Sequence, residues 1–157
     1  EGLRVAIIGD ILHSRGASSQ ACVLRKLGAR VFLAGPSAFL PDSFKDDWKV
    51  EGVFHDLDET LPGMDVLSLL RVQKERMCEA EIPSFEEYHR LWGITRERLA
   101  RAGANALVMH PGPINRGVEL SGDVADSERS LILEQVACGV AVRMALLQLL
   151  LGESAPR

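Results

Sequence analysis

Five short runs constrain this chain more than anything else in it. They cover residues 3–8, 30–34, 50–54, 65–70 and 106–109. Four are almost continuously apolar; the run at 50–54 is weaker. A strand buried on both faces reads this way, and such strands belong to parallel sheets. Helical stretches separate them. Residues 18–27 run to Gly28, a good residue just past a helix end. Short helices fit 41–48 and 56–61, the latter closed by Pro62-Gly63, and Thr95 can cap a helix through Ala102. Strands alternating with helices predict an α/β fold, a doubly wound parallel sheet flanked by helices. A length of 157 residues suits one such domain.

Two stretches depart from this rhythm. Residues 72–88 are charged and lack a clean period, which predicts a long loop with short helical pieces. Such loops in compact domains are usually functional. From 131 to 151 only Glu134, Gln135, Gly139, Arg143 and Gln148 are not apolar, and Asp126 or Ser127 can cap the start. The length would span a membrane. Glu134 and Arg143 inside the run argue against that, so no membrane partner is expected. The polar positions spread around the helix, which predicts burial on most sides. A domain this small cannot supply all of that cover, so the helix is expected to pack on something outside this chain.

Parallel α/β sheets bind ligands at the carboxyl ends of their strands. Three predicted strands end in polar clusters: Gly9-Asp10-Ile11-Leu12-His13-Ser14-Arg15, Arg71-Val72-Gln73-Lys74-Glu75-Arg76 and His110-Pro111-Gly112-Pro113-Ile114-Asn115-Arg116. Arg15 and Arg71 each offer a fork that takes a carboxylate through two parallel hydrogen bonds. Either alone reads equally as a solvated charge, but both directly follow apolar strands. Together they suit a small dicarboxylate. Gln73 can donate to a carboxylate or accept from an amine. Glu75 can orient Arg71 through a salt bridge or pair at the surface with Lys74 or Arg76. Pro111-Gly112-Pro113 breaks regular structure and exposes carbonyls to an amide or amine donor, or simply ends a strand. His13 and His110 flank this crevice as acid–base groups or as structural hydrogen-bonding groups.

Other classes lack support. A net charge of -4 and 5% aromatic residues leave no footprint for nucleic acid. No glycine-rich dinucleotide or phosphate loop follows the first strand, and no His, Cys or Asp cluster has metal spacing, so neither cofactor nor metal is expected. Cys22, Cys78 and Cys138 are scattered, which suits a reducing, cytoplasmic compartment. The start at Glu1, with neither Met nor a signal sequence, suggests a trimmed chain or an inner piece of a longer one.

The three strand-end segments, extended through Gly117-Val118-Glu119, together resemble the aspartate carbamoyltransferases, in their C-terminal, L-aspartate-binding half. The stretches 127–130 and 135–140 are similar to that family's terminal helix. The likeness runs nearly end to end. It implies one of the two α/β domains of a carbamoyltransferase-type subunit, with residues 1–157 as the aspartate domain. Residues 127–151 would form a terminal helix packing on an N-terminal carbamoyl phosphate-binding domain. It implies transfer of a carbamoyl group from carbamoyl phosphate to L-aspartate in pyrimidine biosynthesis, by a homotrimer with a dihydroorotase or regulatory partner possible. Arg15 and Arg71 would bind the two aspartate carboxylates with Gln73 assisting. The carbonyls of Pro111, Gly112 and Pro113 would hold the carbamoyl amino group. Glu75 and His110 would stand behind them without touching substrate. The Gly112–Pro113 bond would be cis, and residues 77–91 would close over aspartate. The family's Ser-Thr-Arg-Thr phosphate loop is absent, so this half would be inactive alone.

One departure is Arg15-Gly16-Ala17-Ser18-Ser19, where many members read Arg-Val-Ala-Arg-Ser; Gly16 weakens an early helix position. An ornithine carbamoyltransferase shares the fold, but a second guanidinium would repel ornithine's side-chain ammonium. A non-catalytic binding or assembly module of the same fold is the other alternative.

Overall fold

The computed structural model describes residues 1–73 and 84–152. Five parallel strands form its sheet: β1 (Arg4–Ile8), β2 (Arg30–Ala34), β3 (Gly52–Phe54), β4 (Val66–Leu69) and β5 (Leu107–Met109). Their order is β3-β2-β1-β4-β5. β1 is central, with Val5 opposite Val31 on one side and Val66 on the other. The chain winds outward from β1 through β2 to β3, then crosses back and continues through β4 to β5. This is the doubly wound topology expected, and its direction reverses between β1 and β4.

Because successive residues of a strand face opposite sides, each apolar run feeds two cores. Ile7, Val31 and Leu33 pack with Ala17 and Ala21 of α1 (Ala17–Lys26) on one face. Ala6, Ile8, Phe32, Leu67, Leu69 and Val108 pack on the other. The second core is closed by residues of α3 (Leu57–Thr60), α4 (Phe85–Trp92), α5 (Arg96–Arg101) and α6 (Gly122–Ala125). The small α2 (Phe44–Asp47) lies near β3, where Phe44 stacks on Trp48 with ring centroids 4.6 Å apart.

Local chemistry sets most boundaries. Asp56 caps α3 by accepting from Glu59 N at 3.1 Å, and Thr95 caps α5 by accepting from Arg98 N. α1 begins at Ala17, with Gly16 as a cap that offers no side chain, and ends before Gly28 at φ +84°. The predicted loop over 72–88 is corrected at its end. Ser84 accepts from Glu87 N at 3.0 Å and starts α4, whose Tyr88 and Trp92 are buried. The stretch 85–91 is therefore helix, and the rest of the segment expected to close over aspartate, residues 77–83, lies outside the described residues.

The last helix, α7 (Ile132–Leu151), starts differently from expectation. Neither Asp126 nor Ser127 caps it. Asp126 takes both guanidinium nitrogens of Arg116 at 2.7 Å, and Ser127 Oγ donates to Val124 O. The helix instead starts where β5 hands over, with Leu131 N donating to Val108 O at 2.9 Å. Within this chain the helix is largely uncovered. Only Ile132 is buried, while Leu133 and Leu149 are 85% and 80% exposed. By length and composition alone α7 could cross a membrane.

Gly35 shows how closely the strand ends meet. A Cβ there would lie 2.4 Å from Gly9 O, at the start of the loop after β1. Gly35→Ala must therefore displace one loop or the other. Urea unfolding should show a loss of about 1–3 kcal/mol, and an unchanged midpoint would contradict this packing.

Candidate functional site

The reversal between β1 and β4 leaves a crevice beyond their carboxyl ends, where the connecting loops diverge. Three loops meet there. The loop after β1 carries Asp10, His13, Ser14 and Arg15; the end of β4 carries Leu70, Arg71 and Gln73; the turn after β5 carries Pro111, Gly112 and Pro113. All of them line one cavity of about 360 Å³. Arg15, Arg71, Gln73 and the proline turn, scattered over a hundred residues of sequence, are thus brought together. Glu75 lies outside the described residues.

Each wall is held by identifiable bonds. Asp10 is nearly buried, and its Oδ1 accepts from both His13 N at 3.1 Å and His13 Nδ1 at 2.9 Å. This pair folds the loop back on itself and sends Arg15 over the cavity. His13 thus makes a structural hydrogen bond. Ile11, only 1% exposed, pins the same loop into the core. β4 keeps its ladder as far as Leu70 N, which donates to Ile8 O at 2.8 Å, and Arg71 follows directly. Among the described residues, neither Arg15 nor Arg71 is engaged in an ion pair.

His110 organises the third wall. Its Nδ1 accepts from Gly112 N at 2.9 Å, so the ring hydrogen sits on Nε2. Its backbone N–H donates to Gln135 Oε1 of α7 at 3.0 Å. Gly112 has φ +67°, and the Gly112–Pro113 bond is cis. The imidazole is fully buried. Burial, and to a lesser degree the Arg71 charge, push its pKa down to about 4. A neutral ring is what the Gly112 N–H requires, since imidazolium has no acceptor nitrogen.

A further polar group was not singled out from the sequence. Glu119 is 2% exposed, yet its carboxylate accepts from Val72 N and Asn115 N, each at 2.8 Å. Burial pushes its pKa up, against the hydrogen bonds that pull it down. Its position between Val118 and Leu120, both buried, was the available signal: a carboxylate within an apolar segment needs a reason to be there.

The chemistry on offer is anion recognition. Two guanidinium groups approach one cavity, beside an amide side chain and a turn with backbone carbonyls to spare. Fold and site together define a doubly wound α/β domain with an anion-receptive crevice at its switch point. Residues 1–150 match the family model described as aspartate/ornithine carbamoyltransferase, Asp/Orn binding domain. The chain belongs to this family.

Relatives agree with that placement. The aspartate carbamoyltransferase catalytic subunit of Desulfitobacterium hafniense is 51% identical over 152 residues, covering 97% of this chain and 48% of that protein. The Xanthomonas campestris catalytic subunit is 54% identical over 151 residues, covering 96% and 47%. Among solved structures, the aspartate transcarbamoylase of Trypanosoma cruzi in complex with carbamoyl phosphate aligns with a TM-score of 0.75 and 31% identity, over 94% of this chain and 49% of that one. The ornithine carbamoyltransferase of Pyrococcus furiosus shares the fold, with a TM-score of 0.78 at 24% identity over 99% and 51%. The chain spans about half the length of the curated relatives it matches.

The buried imidazole predicts a pH dependence. Its folded pKa lies below the ordinary histidine value, so the unfolded chain gains a proton as pH falls from about 6.5 toward 4 while the folded chain does not. Stability should therefore drop across that window, by up to about 3 kcal/mol from this group. Urea midpoints at pH 7 and pH 4.5 should fall further apart in the wild type than in His110→Gln. Equal drops in both would contradict the assignment.

Proposed function

We propose that this chain is the aspartate-binding half of an aspartate carbamoyltransferase. The observation that carries the reading is the meeting of Arg15 and Arg71 at one cavity wall-to-wall with the Pro111–Gly112–Pro113 turn. Two forks at one cavity match a ligand with two carboxylates, and a charge-assisted bidentate pair is the strongest hydrogen bonding available to each. A cationic side chain, as in ornithine, would meet two positive groups instead. Identities of 51–54% to proteins named aspartate carbamoyltransferase catalytic subunit support the same choice.

In this reading Arg15 and Arg71 take the two aspartate carboxylates, with Gln73 assisting. Carbonyls of the proline turn accept from the carbamoyl –NH₂ of carbamoyl phosphate. The neutral aspartate amine attacks the carbamoyl carbon, a C–N bond forms, and the C–O bond to phosphate breaks. Phosphate leaves with the electron pair and takes up the proton that the attacking nitrogen gives up, and the product is N-carbamoyl-L-aspartate. The residues of this half do no covalent chemistry. They hold the nucleophile at the reacting carbon and fix charges in a site closed to water, which converts a bimolecular step into an oriented one. The phosphate itself is bound by a second domain outside this chain. The exposed apolar length of α7 packs on that domain, and the assembly is a cytoplasmic trimer.

Two measurements test this. In the full-length enzyme, Arg71→Ala should raise the aspartate KM by the equivalent of about 2–5 kcal/mol, while Lys at the same position should restore little because it lacks the fork. An aspartate KM within twofold of wild type would remove Arg71 from the site. Residues 1–157 alone should form no carbamoyl-aspartate; measurable turnover by that piece would overturn the division of labour.

A further inference from the structure

The ladder between β1 and β4 runs out at Leu70, whose N–H is the last to find a partner on β1. Arg71, Val72 and Gln73 continue beyond the sheet. Something other than a neighbouring strand must fix them, because a ligand fork misplaced by an ångström loses much of its value. That support is visible at Val72, the residue between the two ligand-facing side chains. Its N–H donates to Glu119 Oε1 at 2.8 Å, and its carbonyl accepts from Asn115 Nδ2 at 3.0 Å. Both backbone groups of Val72 are thus taken by side chains.

The same two side chains hold the opposite wall. Glu119 Oε2 accepts from Asn115 N, and Glu119 Oε1 also accepts from Asn115 Nδ2, each at 2.8 Å. Asn115 stands two residues after Pro113. Glu119 is itself anchored from behind, since its carbonyl accepts from Ile94 N at 2.9 Å in the segment between α4 and α5. Its carboxylate does not line the cavity. We infer that Glu119, acting with Asn115, is a positioning residue that sets the spacing between the Arg71–Gln73 strand end and the Pro111–Pro113 turn, and through that spacing the affinity for the amino-acid substrate. This rests on the assignment of Arg71 and the proline turn to aspartate and carbamoyl phosphate.

The residue type follows from the count of donors. Three N–H groups converge on this one side chain, and only a carboxylate presents two acceptor oxygens to them. A glutamine there has one oxygen, and its –NH₂ would face an N–H on at least one side. The buried donor left over would have to move or stay unpaired. Either way the Val72 and Asn115 backbone amides are no longer both held by this side chain, and the spacing between the two walls is no longer fixed.

The test uses the full-length enzyme with Glu119→Gln and Asn115→Ala, each made alone and in an Arg71→Ala background. Both single variants should raise the aspartate KM at least tenfold, with kcat changed less than threefold. In the Arg71→Ala background each should lower kcat/KM for aspartate by a clearly smaller factor than in the wild type, because the fork is gone and only Gln73 and the proline turn remain to be placed. An unchanged KM, or a loss of the same size in both backgrounds, would overturn the inference, since general loosening of the fold ignores Arg71. If Glu119→Gln does not fold, Asn115→Ala decides by the same two readouts, because it leaves the buried carboxylate with both backbone donors. If Arg71→Ala alone leaves the aspartate KM unchanged, the substrate assignment falls, and the inference falls with it. If Arg71→Ala raises KM but the Glu119 and Asn115 variants do not, only the inference falls.

Discussion

Everything at the crevice depends on β1 being paired on both edges. Its residues Ala6 and Ile7 are completely buried, and its partners β2 and β4 are reached by chains that wind in opposite directions. A strand in that position cannot shift without breaking two ladders and two cores at once. Its carboxyl end is thereby held from both sides, and the loop carrying Arg15 leaves from it. A Cβ at Gly35 would run into Gly9 O, and one at Gly9, whose φ is +128°, would press on Leu70 and Tyr88 at 3.3 Å. The sheet supplies a common origin, and the groups that line the cavity are placed from it.

Beyond the sheet, order is maintained by a few buried polar side chains. Asp10 holds the first loop through His13, Glu119 and Asn115 hold the strand end, and His110 holds the turn. Most of these contacts join a side chain to a backbone group. Such bonds fix the path of the main chain rather than merely the orientation of a side chain. Buried polar networks of this kind specify one arrangement because each unsatisfied member is expensive. The cavity stays open while its rim stays in place.

The sheet was legible from the sequence because burial on both faces leaves a direct mark, an unbroken apolar run. β1, β2, β4 and β5 were readable to within a residue or two, and the polar strand ends pointed to Arg15, Arg71 and His110. α4 was not legible in the same way. Its Ser84 cap and the Tyr88–Trp92 spacing sat inside a charged stretch that masked a one-sided helix. The start of α7 was misread because Asp126 and Ser127 have the chemistry of caps but spend it on Arg116 and Val124. Glu119 lay in an apolar segment, which hinted at burial, but its role was hidden for a deeper reason. Its partners are 47 and 4 residues away, and no local pattern announces that three amide donors will converge on one carboxylate.

α7 joins the domain almost entirely through its first turn. Ile132 is buried there, and Gln135 holds the backbone of His110. The remaining turns run free of this chain for much of the helix's length, about 30 Å for 20 residues at 1.5 Å each. Mechanically, that is a lever with its fulcrum beside the proline turn. A small tilt imposed on the distal leucines would arrive at Gln135 as a displacement of the His110 amide, and so of the carbonyls that follow it. The turn would then sense contacts made about 20 Å away along the helix without any change in the sheet.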